Sequence, residues 1–92
     1  SFEFSFELAL KTLKDYLESK GTLSSFPRDV IKEAFHHEIL DNVEAWLLML
    51  EKRNLLAHTY DKEKAREALQ LIRNTFFPEI QQIISFFKKE AA

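Results

Sequence analysis

The stretch D-N-V-E-A-W-L-L-M-L-E-K-R-N-L-L-A-H-T-Y-D, Asp41 to Asp61, carries the lone tryptophan and the densest apolar run of the chain. Its pattern predicts a helix running to about His58, started by Asp41 as N-cap with Glu44 as its capping-box partner. Leu48, Met49 and Leu56 fall off the arc that holds Trp46 and Leu50, so this helix should be covered on more than one side. It therefore reads as the central element of an all-α helical bundle, with self-association along it as the economical way to cover the remainder.

The end of that helix changes character. Arg53, Asn54, His58 and Tyr60 gather within eight residues, and none of these residue types is a normal core occupant. At about 100° per residue, Asn54 and His58 stack on one face, whereas Arg53 and His58 point roughly 140° apart. Short side chains on one helix cannot aim both groups at one phosphate. Either the long arginine stem reaches round, or a second copy of the helix supplies part of the site. A simpler reading makes Arg53 and His58 C-terminal cations favoured by the helix dipole, with Tyr60 a half-buried cap. An R-x4-H spacing by itself is a weak signal.

Composition narrows the classes. Ninety-two residues make one domain, with room for a modest core. The absence of cysteine excludes a disulfide framework and a thiolate metal site and suits a reducing cytosol. No apolar run approaches the roughly 18 residues of a membrane span, and no signal-peptide pattern is present, so the expected location is cytoplasmic. A net charge of -2 and a pI near 5.9 argue against a dedicated electrostatic binder of nucleic acid, so RNA contact would be confined to a few residues in a cleft. One Gly and two Pro, among many Leu, Phe, Glu and Lys, favour helices over a sheet.

Outward from the central stretch, Ser1 to Lys20 reads as a helix whose broad apolar face is Phe2, Phe6, Ala9, Leu10, Leu13, Tyr16 and Leu17, stopped by Gly21. Glu7 with Lys11, and Lys14 with Glu18, are expected as exposed i,i+4 pairs. Phe4 and Leu8 form a second apolar line, and the chain begins on an established period with neither a methionine nor a cap. A preceding helix is expected to cover that line. Ser24 or Ser25 should cap a short helix from Pro27 to about His37. The adjacent His36 and His37 cannot share a metal site, which would want a spacing of three or four, and are expected to be solvent-exposed. Asp61 caps the last helix, whose stripe is Ala65, Ala68, Leu69, Ile72, Phe76, Ile80, Ile83 and Phe87, with a kink or short break near Phe77 caused by Pro78.

Three blocks in fixed order then carry a resemblance: F-E-F-S-F-E-L-A-L-K-T-L-K-D-Y-L-E at Phe2 to Glu18, F-P-R-D-V-I-K-E-A-F at Phe26 to Phe35, and R-N-L-L-A-H-T-Y-D at Arg53 to Asp61. Together they resemble the HEPN superfamily, specifically the HepT-like proteins also called nucleotidyltransferase substrate-binding proteins. The resemblance implies an antiparallel helical bundle that forms a homodimer and is encoded beside an MNT-type nucleotidyltransferase antitoxin. It implies a metal-independent endoribonuclease with no cofactor. Arg53 and His58 would be its catalytic pair, and Asn54 the polar residue beside them. It also implies that Tyr60, in the extended R-x4-H-x-Y pattern, is adenylylated by the partner to silence the toxin. Members of that family usually carry one more helix ahead of the F-E-L-A block.

Two other readings stand beside the toxin. A non-catalytic substrate-binding or adaptor subunit of the nucleotidyltransferase would use Arg53, Asn54 and His58 to hold a nucleotide or phosphate without cleaving it. A purely structural bundle would have no use for the four polar residues.

Overall fold

The computed structural model describes residues 2–91, and side chains for residues 3–91. The expected helical start at Ser1 and the inward role of the Phe2 side chain lie outside that range. Four helices and no strand are found among the described residues: α1 (Phe2–Ser19), α2 (Pro27–His36), α3 (Val43–His58) and α4 (Lys62–Ala91). The chain is an all-α bundle, as its composition predicts. No helix among the described residues is long and apolar enough to cross a membrane.

Helix α4 sets the shape: its 30 residues at about 1.5 Å per residue account for the 43 Å long axis of the molecule. Asp41 N–H donates to Gln82 Oε1 at 3.2 Å and Trp46 Nε1 donates to Glu79 Oε1 at 3.1 Å, while Leu55 at the other end of α3 faces the Glu67 to Leu71 region. These contacts make α3 and α4 an antiparallel hairpin. Against α1 the contacts step the other way. Ser5 to Thr12 lie beside Phe76 to Ile84, and Tyr16 meets Phe86 and Phe87 edge-on, so α1 runs alongside α4 in the same direction.

The core gathers at the crossing of all four helices. Phe6, Leu10, Leu13 and Leu17 from α1, Val30, Ile31 and Ala34 from α2, Trp46, Met49 and Leu50 from α3, and Ile72, Phe76 and Ile83 from α4 are buried together, with Ile39 and Leu40 of the α2–α3 connection. Trp46 is fully buried and stacks on Phe6 with ring centroids 5.9 Å apart. Met49, off the Trp46 arc, is buried as well, which agrees with the expectation that α3 is covered on several sides.

The helix ends follow from local chemistry, with three corrections to the sequence reading. Helix α1 ends in a Schellman motif: Thr22 N–H donates to Leu17 O at 2.9 Å and Gly21 N–H to Glu18 O at 3.0 Å, with Gly21 at φ 90°. Helix α2 is capped by neither Ser24 nor Ser25. Phe26, extended at φ -112° and ψ 143°, is its N-cap and supplies no side-chain bond. A residue before proline is pushed out of the helical region, and Pro27 at the first helical position has no N–H to satisfy. Helix α3 is capped by Asn42, whose Oδ1 accepts from Ala45 N–H at 3.0 Å. Asp41 sits one residue too early, its own N–H committed to Gln82. The third correction is that α4 passes through Pro78 unbroken. Pro78 lies on the exposed side, and Phe76 and Ile83, one on each side of it, are both anchored in the core.

Other details meet the expectations. Asp61 Oδ1 accepts from Glu63 N–H at 2.9 Å and Lys64 N–H at 3.3 Å, capping α4. His36 and His37 are exposed. So is the second apolar line of α1, with Phe4 68% and Leu8 54% exposed. The two expected ion pairs of α1 are the exception: Lys11 pairs with Asp15 at 3.6 Å while Glu7 turns to Arg53 of α3, and no Lys14–Glu18 pair is found among the described residues.

Two residues store unfavourable energy. Glu38 is the left-handed C′ residue after α2, at φ 60°, where Ile39 N–H donates to Ala34 O and Glu38 N–H to Phe35 O in a second Schellman motif. A non-glycine residue there costs about 1 kcal/mol. Replacement Glu38→Gly should therefore raise the unfolding free energy by roughly 0.5–1 kcal/mol, read as a higher denaturation midpoint at unchanged m-value; an unchanged midpoint would show the conformation to be unstrained. At Glu79, burial pushes the carboxyl above its ordinary 4.5, helped by nearby Asp41 and opposed by the Trp46 hydrogen bond. The native state then binds a proton that the unfolded chain has released, so this group's contribution is present at low pH and lost as pH rises through the window above 4.5. Glu79→Gln should stabilise the fold at neutral pH by a margin that shrinks on acidification. A margin independent of pH would contradict this.

Candidate functional site at the end of the central helix

Helix α3 delivers its last two turns beyond the core. Trp46, Met49 and Leu50 hold its first part. From Glu51 onward no residue of α3 is fully buried, and the helix stops at Thr59, which is extended at φ -104° and ψ 139°. Thr59 Oγ1 accepts from Asp61 N–H at 3.2 Å, shaping the turn that carries Tyr60 between α3 and α4.

The four expected site residues occupy different environments. The side chain of Arg53 is 27% exposed and leans on α1, where its Nε lies 3.1 Å from Glu7 Oε2. That Nε is enclosed and its N–H is not aligned as a directed hydrogen bond, so the contact is an ion pair. The two terminal nitrogens of Arg53 are not enclosed and have no partner among the described residues. Asn54 and His58 are exposed, with no side-chain partner among the described residues. Tyr60 is 101% exposed, which removes the reading of it as a half-buried cap.

One chain therefore does not bring Arg53 and His58 to one cleft. Five open surface hollows of about 320–520 Å³ are lined by other residues, and none by Arg53, Asn54, His58 or Tyr60. The angular separation read from the sequence persists: Arg53 faces α1, and His58 faces solvent. An arginine with its terminal donors open to solvent can take two phosphate oxygens, and an imidazole can serve as a general acid or base. The arrangement holds a guanidinium and an imidazole on separate faces of one helix end.

Glu7 is the neighbour that sequence reasoning missed. Periodicity assigned it to Lys11 on the same helix, because an i,i+4 pair is visible locally and a contact to a residue 46 positions away is not. The only available signal was its place on the margin of the apolar face, between buried Phe6 and Leu10.

The chain is similar to "Probable ribonuclease HepT" of Haemophilus influenzae (strain ATCC 51907 / DSM 11121 / KW20 / Rd), with 32% identity over 69 residues, 70% of this chain. The chain spans 47% of the length of that relative. The family model described as "Nucleotidyltransferase substrate binding protein like" matches residues 1–89. With the match covering nearly every helix and the whole Arg53 to Asp61 block, the chain belongs to the nucleotidyltransferase substrate-binding, HepT-like family.

Proposed function

We propose that the protein is a HEPN-type endoribonuclease toxin that cleaves RNA without a metal ion and is silenced when an MNT-type nucleotidyltransferase adenylylates Tyr60. The observation that carries this reading is the state of Arg53: a guanidinium held at the edge of the core with its terminal donors free, in a chain whose relative is named a probable ribonuclease.

The chemistry requires a base, an acid and positive charge on the phosphate. An imidazole takes the proton of the ribose 2′-hydroxyl, and the 2′-oxygen attacks the adjacent phosphorus. The bond from phosphorus to the 5′-oxygen breaks, and that oxygen leaves with a proton from an imidazolium. The products are a 2′,3′-cyclic phosphate and a 5′-hydroxyl. Each chain offers one such imidazole at this end, His58. A homodimer would supply a second, so that one acts as base and the other as acid. Joining two α3 ends would also bring Arg53 of one chain toward His58 of the other, which the 140° separation denies to a single chain. Asn54, one turn from His58, would orient the ring or the phosphate.

Silencing needs an accessible nucleophile. The complete exposure of Tyr60 in the turn between α3 and α4 supports that role. Its hydroxyl would attack the α-phosphorus of a nucleoside triphosphate, lose its proton and release pyrophosphate. The adduct adds a negative phosphodiester and a base beside the site, where it competes with RNA for Arg53.

A second reading is favoured by the family description itself: a subunit that binds substrate for a nucleotidyltransferase without cleaving it. Cleavage of a mixed tRNA and mRNA pool in EDTA separates the two. On the ribonuclease reading, wild type cleaves, and His58→Ala and Arg53→Ala each lose about 10²–10⁴-fold in rate. Absence of cleavage by unmodified dimeric protein on every RNA tried would leave the binding subunit as the better account. Tyr60→Phe should cleave as wild type does and resist silencing by the nucleotidyltransferase; silencing that persists in this variant would move the modification elsewhere.

A further inference from the structure

Arg53 is the one motif residue that the fold itself grips, and the group that grips it has no role in the R-x4-H-x-Y pattern. We infer that Glu7 is a positioning residue for Arg53, anchoring the inner edge of the guanidinium so that its outer edge is presented to the substrate phosphate. The inference rests on the ribonuclease reading above.

Enclosure of Arg53 Nε is the first observation. A cationic donor shut away from water with no aligned acceptor is unfavourable unless an opposite charge stands close. The Glu7 carboxylate at 3.1 Å supplies it. The second observation is what remains free. The terminal nitrogens of Arg53 are accessible and have no partner among the described residues. Because the guanidinium is planar and rigid, fixing one edge fixes the direction of the other. The third is the support behind Glu7. Phe6, its neighbour in sequence, is 1% exposed and stacks on the fully buried Trp46, so the backbone that carries the carboxylate is pinned to α3, the helix that carries the arginine. Competition between Glu7 and phosphate would be the opposite effect. Glu7 is 50% exposed, so water screens its charge from a phosphate on the far edge, while its hold on Nε persists.

The test follows Arg53 directly and cleavage separately. In ¹⁵N NMR of the wild type, the Arg53 Nε–H should exchange slowly with water and stand apart from those of the exposed Arg28 and Arg66. The protected signal should vanish in Glu7→Ala and in Glu7→Gln, which keeps the shape of the side chain without its charge, and persist in Glu7→Asp, with helix content unchanged in all three. In cleavage, Glu7→Ala should lower kcat about 10–100-fold with KM altered by less than about 3-fold, and Glu7→Asp should recover to within about 10-fold of wild type. An Arg53 signal equally protected in Glu7→Ala would overturn the inference. So would cleavage by Glu7→Ala at or above the wild-type rate. If wild type fails to cleave RNA, the ribonuclease reading falls, and the NMR comparison alone decides whether Glu7 positions Arg53.

Discussion

The fold depends on sealing the indole of Trp46. Its ring is fully buried, stacked on Phe6 of α1, and its N–H is satisfied by Glu79 of α4. One side chain thus ties α3 to both of its long neighbours. Truncating a buried tryptophan costs about 3–5 kcal/mol, a large share of the roughly 5–15 kcal/mol that holds a domain together. The polar tip carries a cost of its own. A tryptophan N–H must find an acceptor when buried, and the acceptor here is a carboxylate drawn partly out of water and near Asp41. The neutral acid or an amide could accept the same hydrogen bond without the charge penalty.

The same seal sets where the candidate site lies. Helix α3 is rigid through Leu50 because its apolar residues are locked in the core. Beyond that point no side chain of α3 is fully buried, although Arg53 still leans on α1 and Leu56 on the core. A polar site built there rides on a fixed scaffold while remaining open to solvent. The cost of placing it on a helix end is angular: residues five apart cannot converge, so Arg53 is captured by α1 and His58 is left in water. Under the proposed function, convergence would come from another chain, and the half-buried Leu47 and Leu48 farther back on α3 would be surfaces over which two such helices meet.

Periodic features were legible in the sequence and pairwise ones were not. The stripe of α4 keeps its phase across Pro78 because one face of the helix is buried from Ala68 to Ile83, and a period of 3.6 residues records that burial. Gly21 and Asp61 were readable because their roles are local, a positive φ in one case and two neighbouring N–H groups in the other. The cap of α3 was placed one residue early because Asp41 and Asn42 are both competent caps, and the choice between them is made by Gln82, 41 residues away. The tie from Trp46 to Glu79 and the pair between Arg53 and Glu7 are decided by how helices lie across one another, which no window of sequence contains. At the site, the residue types and their separation were readable. That Arg53 is gripped, while Asn54, His58 and Tyr60 are free, was not.

Under the proposed function, the charge balance suits a site that must be easy to silence. A chain of net charge -2 attracts polyanions weakly at a distance, and Glu7 offsets part of the charge on Arg53 itself. RNA affinity then rests on a few directed contacts instead of a broad field that releases many counterions. A site of that kind discriminates by where a phosphate can be placed. It is also sensitive to a single added charge, because one phosphodiester on Tyr60 is a large fraction of a small local total. A strongly basic surface would hold RNA despite such a modification. An acidic chain with one well-aimed guanidinium would not, so under that reading weak background electrostatics and control by a single tyrosine belong together.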